Sequence, residues 1–173
     1  MLVLVVFVGR PGTGKTTLAR LASAELTATH LRIDAIEAAI VRSGVVVPPL
    51  SPVGYAIAHE IAAASLRAGA DVVVDAVSGV PEARAGWVAL AAAAGVQLRF
   101  IELVVTDAAE HRRRVENRRS DIEGLVVPTW EQVVSLIYEP WDAVRDGPRL
   151  VVNNDGSPAD AMGKVRPYLE LGG

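Results

Sequence analysis

Gly9-Arg10-Pro11-Gly12-Thr13-Gly14-Lys15-Thr16 fits the pattern G-x-x-x-x-G-K-[ST] in full. The segments on either side decide how it is read. Leu2–Val8 is an unbroken apolar, β-branched run that reads as a buried strand, and the stretch from Thr16 to about Leu26 carries helical periodicity. Strand, glycine loop and helix in that order form the context a phosphate-binding loop requires. A polyphosphate needs many donors converging from a backbone that can approach it closely, and glycines permit the approach. The helix N-terminus adds positive potential. Gly9, Pro11, Gly12, Thr13, Gly14, Lys15, Thr16 and Thr17 are therefore the expected nucleotide-binding residues, with Lys15 reaching the β- and γ-phosphates and the Thr16 hydroxyl on Mg²⁺.

Working outward, apolar runs alternate with longer alanine-rich amphipathic stretches, the pattern of βα units around a mainly parallel sheet. Strands are expected at Leu2–Val8, Leu31–Ile33, Val72–Asp75, Gln97–Val104 and Leu150–Val152. Ser51-Pro52 and Gly69 bracket one helix, and Pro81 and Gly95 another. Asp107 with Glu110, Thr129 with Gln132, and Ser157 with Asp160 have capping-box spacing, and Pro140 is expected to end the helix begun at Thr129. Ser43–Leu50 and Arg119–Val127 read as loops, the latter as a mobile lid at about 118–127. The fold expected is α/β: a three-layer P-loop NTPase with a mainly parallel five-stranded sheet and a small lid, in a single domain over 1–173.

With 173 residues the chain is of a size for one domain. Although 51% of it is hydrophobic, no apolar stretch reaches the roughly 18 residues of a membrane helix. Leu2–Val8 lacks the basic flank of a signal peptide. Absence of cysteine excludes disulfides and thiolate metal sites, and cytoplasm is the expected location. A net charge of −3 argues against a broad nucleic-acid surface, and His30, His59 and His111 have no metal-ligand spacing.

The nucleotide expected is ATP, because Asn153-Asn154-Asp155-Gly156 lacks the lysine of a guanine-reading N-K-x-D segment. That stretch reads as a turn, or as a neighbour of the adenine. Asp34 closes the second strand run, where ligands gather in an open α/β sheet. It reads as a general base and as a contributor to the Mg²⁺ shell, or as a helix N-cap. Asp75 ends Val72-Val73-Val74-Asp75 in the manner of a Walker B acid that assists the metal. Arg114 and Arg118 share a helix face in the one dense basic run and suit the transferred phosphoryl group, whereas Arg112 and Arg113 read as solvated. His59 with Glu60 reads as a surface pair, and Tyr55 as core packing.

These residues together resemble the P-loop kinases related to polynucleotide 5′-hydroxyl kinases, a group that includes zeta-toxin-like and chloramphenicol-phosphotransferase-like small-molecule kinases. The resemblance runs over most of the length. It is carried by Gly9-x-Pro11-Gly12-Thr13-Gly14-Lys15-Thr16-Thr17 with Ala19-Arg20, by Asp34 at the position of the catalytic base, and by Asp75. Pro81-Glu82-x-Arg84-x-x-Trp87, Ala92–Gly95, Arg114-x-x-x-Arg118 as lid arginines, and Pro128 with the helix to Tyr138 extend it. It implies a sheet order of 2-3-1-4-5, Lys15, Asp34, Arg114 and Arg118 as catalytic residues, and ATP-dependent phosphorylation of a hydroxyl. Polynucleotide kinases carry an arginine three residues after the aspartate, where this chain has Glu37. A carboxylate there repels a phosphorylated acceptor, so the expected partner is a small molecule, neutral or cationic, rather than a nucleic acid. The alternatives are a polynucleotide 5′-hydroxyl kinase and a nucleotide-binding regulatory module without transfer. Oligomeric state is not legible in the sequence.

Overall fold

The computed structural model of the chain describes residues 1–44 and 51–170. The apolar loop expected at Ser43–Leu50 lies, beyond Gly44, outside the described residues. Strands β1 (Val3–Val8), β2 (Thr29–Arg32), β3 (Val72–Asp75), β4 (Gln97–Val104) and β5 (Arg149–Asn153) form one five-stranded sheet in the order β2-β3-β1-β4-β5, every pairing parallel. Helices α1 (Lys15–Leu26), α2 (Ile33–Ser43), α3 (Ser51–Arg67), α4 (Pro81–Ala94), α5 (Ala108–Glu116), α6 (Trp130–Ser135), α7 (Ala143–Asp146) and α8 (Pro158–Glu170) connect and cover it.

Strand β1 shows why both faces are covered. Its six residues are all buried, and the twofold alternation of a strand divides them between two cores. Leu4, Val6 and Val8 pack with Ala58, Ala62 and Leu66 of α3 and Trp87 and Ala91 of α4. Val3, Val5 and Phe7 pack with Leu18, Ala19 and Ala22 of α1 and Ala161, Met162 and Val165 of α8. A central strand apolar at every position thus requires the three-layer arrangement.

The sheet order and strands agree with the reading of the sequence, and the departures are local. The second strand is Thr29–Arg32 rather than Leu31–Ile33, because Ile33 already opens α2. Asp34 consequently sits in the first turn of that helix, neither at a strand end nor at the N-cap, which is Arg32. Helix α6 stops at Ser135, short of Pro140, where Leu136 turns to extended ψ. Helix α7 went unread, although Asp142 caps it by accepting from the amides of Val144 and Arg145. Thr129–Gln132 and Ser157–Asp160 close reciprocally. Asp107 caps α5, but the Glu110 carboxylate turns to Arg113 and Arg114 instead of completing the box.

His59 is a second correction. It lies edge-on against Trp87, ring centroids 4.2 Å apart, and fills the space left by Gly86, so it is a packing residue of the α3–α4 contact and not half of a surface pair. Tyr55 packs there too, and its hydroxyl accepts the amide of Ser78 at 2.9 Å. Ser78 has a left-handed φ of 44°, a strained geometry for a residue with a side chain, and holds the turn after β3 in shape.

That turn rests on a buried cation. The Arg84 guanidinium, fully buried, pairs with Asp146 at 2.8 Å and donates to the carbonyls of Ser78, Gly79 and Glu139. Removing one partner from such a network leaves charge and carbonyls without compensation. Arg84→Leu is expected to lower the stability by about 3–5 kcal/mol in urea titration, against under about 1 kcal/mol for exposed Arg112→Leu.

Candidate active site

Strand register assembles the site. Phe7 lies opposite Asp75, and Asp75 opposite Arg32, so the C-terminal edge of the sheet carries an acid and a cation side by side just below the glycine loop. Asp75 Oδ2 accepts a hydrogen bond from Thr16 Oγ1 at 2.6 Å and lies 3.5 Å from Arg32 Nε. A hydroxyl and a carboxylate so placed supply the hard oxygen donors that Mg²⁺ prefers.

The loop is shaped from behind. Gly14, at φ 92°, is the N-cap of α1, and a Cβ there would run into the Asn154 amide, which donates to the Thr13 carbonyl at 2.8 Å. At Gly12, φ 84°, a Cβ would meet Val115 of α5 at 2.6 Å, while His111 Nε2 contacts the Pro11 carbonyl at 2.8 Å. Arg10 reaches away from the loop to the carbonyls of Val133 and Leu136 at the end of α6. Three later segments therefore brace a loop that the motif alone leaves unsupported.

Lys15 is 8% exposed, and its ammonium donates to the Arg10 carbonyl at 2.9 Å. Burial pushes its pKa down from the usual lysine value, with Asp75 and Asp34 opposing the shift. An arriving polyphosphate would offset that desolvation.

Pro11, Gly12, Gly14, Lys15, Thr16 and Thr17 line one cleft of about 680 Å³ together with Asp34, Glu37, Asp75, Arg114 and Arg118. Gly9 and Thr13 do not line it. Gly9 is tucked beneath the Leu103 carbonyl, and Thr13 is buried with its hydroxyl on the Arg10 carbonyl. Asp34 and Arg118 face each other across the cleft, Oδ2 to Nη2 3.4 Å. Arg114 borders the cleft, but its donors are engaged by Glu110 and by the carbonyls of Asn154 and Asp155. In this geometry it holds the β5–α8 turn while Arg118 confronts the aspartate. Arg112 and Arg113 form exposed ion pairs with Glu116 and Glu110.

Two participants escaped the sequence reading. Arg32, 8% exposed, stands between three carboxylates: Asp75, Asp34 at 3.8 Å and Asp121 at 2.8 Å. Asp121, in the segment expected as a lid, also pairs with Arg20 of α1, and the two arginines hold its carboxyl well below the usual carboxylate range. Arg42 of α2 donates to the Glu123 carbonyl. Residues of the 118–127 segment are thus tied to β2, α1 and α2, and Leu125 and Val126 line the cleft. Only the isolated Arg-x-Asp at 32–34 hinted at this in the sequence.

Compared with known proteins, residues 4–133 match a family model described as an AAA domain. No curated protein matches the sequence. Among solved structures the chain is similar to an unliganded sugar kinase from Janibacter sp. HTCC2649, at TM-score 0.72 and 17% identity over 99% of this chain and 96% of that one. It is also similar to the Mycobacterium tuberculosis APS kinase CysC in complex with AMPPNP and APS, at TM-score 0.68 and 20% identity over 98% of each chain. A third is Chaetomium thermophilum Kti12 in complex with ADP-AlF3, at TM-score 0.64 and 18% identity over 98% of this chain and 100% of that one. At these identities the likeness establishes the fold. No helix among the described residues is long and apolar enough to cross a membrane.

Asp121→Asn keeps the shape of the lid residue and removes its charge. Cleavage by trypsin after Arg118 and Arg119 is expected to accelerate about fivefold, the equivalent of ~1 kcal/mol for an ion pair of this exposure. An unchanged rate would show that the tie does not restrain the loop.

Proposed function

The chain belongs to the AAA domain family, whose model spans residues 4–133, and from that premise we propose that it is an ATP-dependent kinase that phosphorylates a hydroxyl of a small molecule. The observation that carries this reading is the convergence of Lys15, the Thr16–Asp75 hydrogen bond and the Asp34–Arg118 pair on one cleft. It supports kinship with the polynucleotide-kinase-like group at the level of these residues.

In this reading the amides of Gly12 and Gly14 and the N-terminus of α1 cradle the β- and γ-phosphates, and Lys15 leaves the Arg10 carbonyl to join them. Thr16 and Asp75 are the residues that would hold Mg²⁺, with Asp34, which shares Arg32 with Asp75, as a further contributor, and the ion would offset charge on the phosphate oxygens. Asp34 accepts the proton of the acceptor hydroxyl as its oxygen bonds to the γ-phosphorus. The bond from that phosphorus to the β–γ bridging oxygen breaks, and ADP leaves with the electron pair. Arg118 lies where it can offset the charge of the transferred group. The lid, held by Asp121, excludes water that would otherwise take the phosphoryl group. Acidic Glu37 beside Asp34 disfavours a phosphorylated acceptor such as a nucleic acid.

The test is incubation with Mg·ATP and a panel of metabolites that includes a 5′-hydroxyl oligonucleotide, followed by mass spectrometry for the gain of one phosphate. Asp34→Asn is expected to lower transfer by roughly 10²–10⁴-fold while Mg·ATP binding by calorimetry is retained. Labelling of the oligonucleotide alone would replace the small-molecule reading with a polynucleotide kinase. Nucleotide binding without transfer to any acceptor would leave a regulatory module.

A further inference from the structure

Asp34 and Glu37 are three residues apart on α2, so their side chains share one face of the helix, and both line the cleft. Their surroundings differ. Asp34 faces Arg118 at 3.4 Å and Arg32 at 3.8 Å. No ion pair joins Glu37 to any described residue. Its position is nonetheless built into the fold: a Cβ on Gly54 of α3 would stand 2.7 Å from Glu37 Cγ and 2.9 Å from Oε1. Gly54 lies inside a helix at a place where glycine is unfavourable relative to alanine. The notch it leaves is occupied by the glutamate, which fixes where the carboxylate stands.

Charge in the cleft is accordingly divided. Lys15, Arg118 and Arg119 gather on the side of the phosphate loop and lid, and Glu37 stands on the α2–α3 side. Val77 and Leu136 add apolar wall to the cleft. Burial, and secondarily the charge of Asp34, push the Glu37 carboxyl above its usual pKa. A cation arriving beside it would favour the ionised carboxylate and so oppose the shift.

We propose that Glu37 reads a cationic group on the acceptor, and that the acceptor is an amino alcohol whose hydroxyl is presented to Asp34 while its ammonium pairs with Glu37. This rests on the kinase reading above and narrows it to a substrate class. A phosphate or carboxylate on the acceptor is repelled, and a neutral polyol leaves Glu37 half-buried and unpaired. The Gly54 notch is a specificity element, because it sets the distance between the carboxylate that takes the proton and the one that takes the cation.

The experiment compares acceptors matched in shape and different in charge, within the same panel: glucosamine, glucose and glucuronate, and ethanolamine, ethylene glycol and glycolate. Amine-bearing alcohols are expected to gain phosphate in preference to their neutral and anionic counterparts. Glu37→Gln is expected to raise KM for the amine by roughly tenfold to hundredfold, the range of a hydrogen bond to a charged group, with kcat altered much less. Gly54→Ala, which displaces the carboxylate without removing it, is expected to raise the same KM. The pH dependence supplies an independent readout. Because the free carboxyl has a raised pKa and the bound amine needs it ionised, KM for the amine falls as pH rises through that pKa, and Glu37→Gln abolishes the dependence. Phosphate gain by neutral or anionic acceptors only, or a KM indifferent to both substitutions, overturns this assignment and leaves the kinase reading standing. No phosphate gain by any acceptor overturns both.

Discussion

The parallel pairing of β3 between β1 and β2 sets Phe7, Asp75 and Arg32 in a row across the C-terminal edge of the sheet. Parallel strands repeat their side-chain direction residue for residue, so the place of the acid is set by the register that seats Val72 and Val74 in one core and Val73 in the other. Asp75 is thereby held beneath the first turn of α1, where the Thr16 hydroxyl meets it at 2.6 Å. The same row carries Arg32 to the start of α2, beside Asp34. Asp75 and Asp34 are in this way both positioned from one register.

The glycine loop depends on this edge and also on contacts from far along the chain. Asn154 after β5 supports Thr13, Val115 and His111 of α5 press against Gly12 and Pro11, and Arg10 ties the loop to the end of α6. Such contacts fix the backbone of the loop from behind, and a loop already ordered spares a ligand the entropy of ordering it. They also account for the placement of Arg114. By engaging Glu110 and the carbonyls of Asn154 and Asp155, it joins α5 to the turn that braces the loop. Its contribution to the cleft passes through the backbone as much as through its charge.

Electrostatically the cleft is a graded space. Lys15, Arg118 and Arg119 line it with the acids Asp34, Glu37 and Asp75, and Arg32 stands between Asp75, Asp34 and Asp121. Since Arg32 is almost wholly buried, its interactions are screened less than those of the surface pairs on α5. A movement of the Asp121 carboxylate therefore changes the field at both Asp34 and Asp75. Glu37, seated in the Gly54 notch and outside this network, remains the one acid of the cleft wall without a cation among the described residues.

Much of this was legible along the chain. The loop motif is local, with the glycines, Lys15 and Thr16 at fixed spacing, and its flanks show strand and helix periodicity. The runs Leu2–Val8 and Val72–Val74 are apolar at every position, and that pattern belongs to buried parallel strands. Asp34, Asp75, Arg118 and Glu37 were readable as candidates, and the family resemblance brought the sheet order with it. By contrast, β2 was placed late because Thr29 and His30 lack the apolar signature. His59 was misread because Trp87 lies on another helix. Sequence by itself determined most of the strands and helices and the residue types of the glycine loop, since propensity, periodicity and motif act over a few neighbours. Tertiary structure alone decided that Arg32 would sit among three acids, that Arg10 and Arg114 would brace backbone, and that Gly54 would cradle Glu37. Those roles depend on distances between residues far apart in the chain, which only strand register and helix packing set.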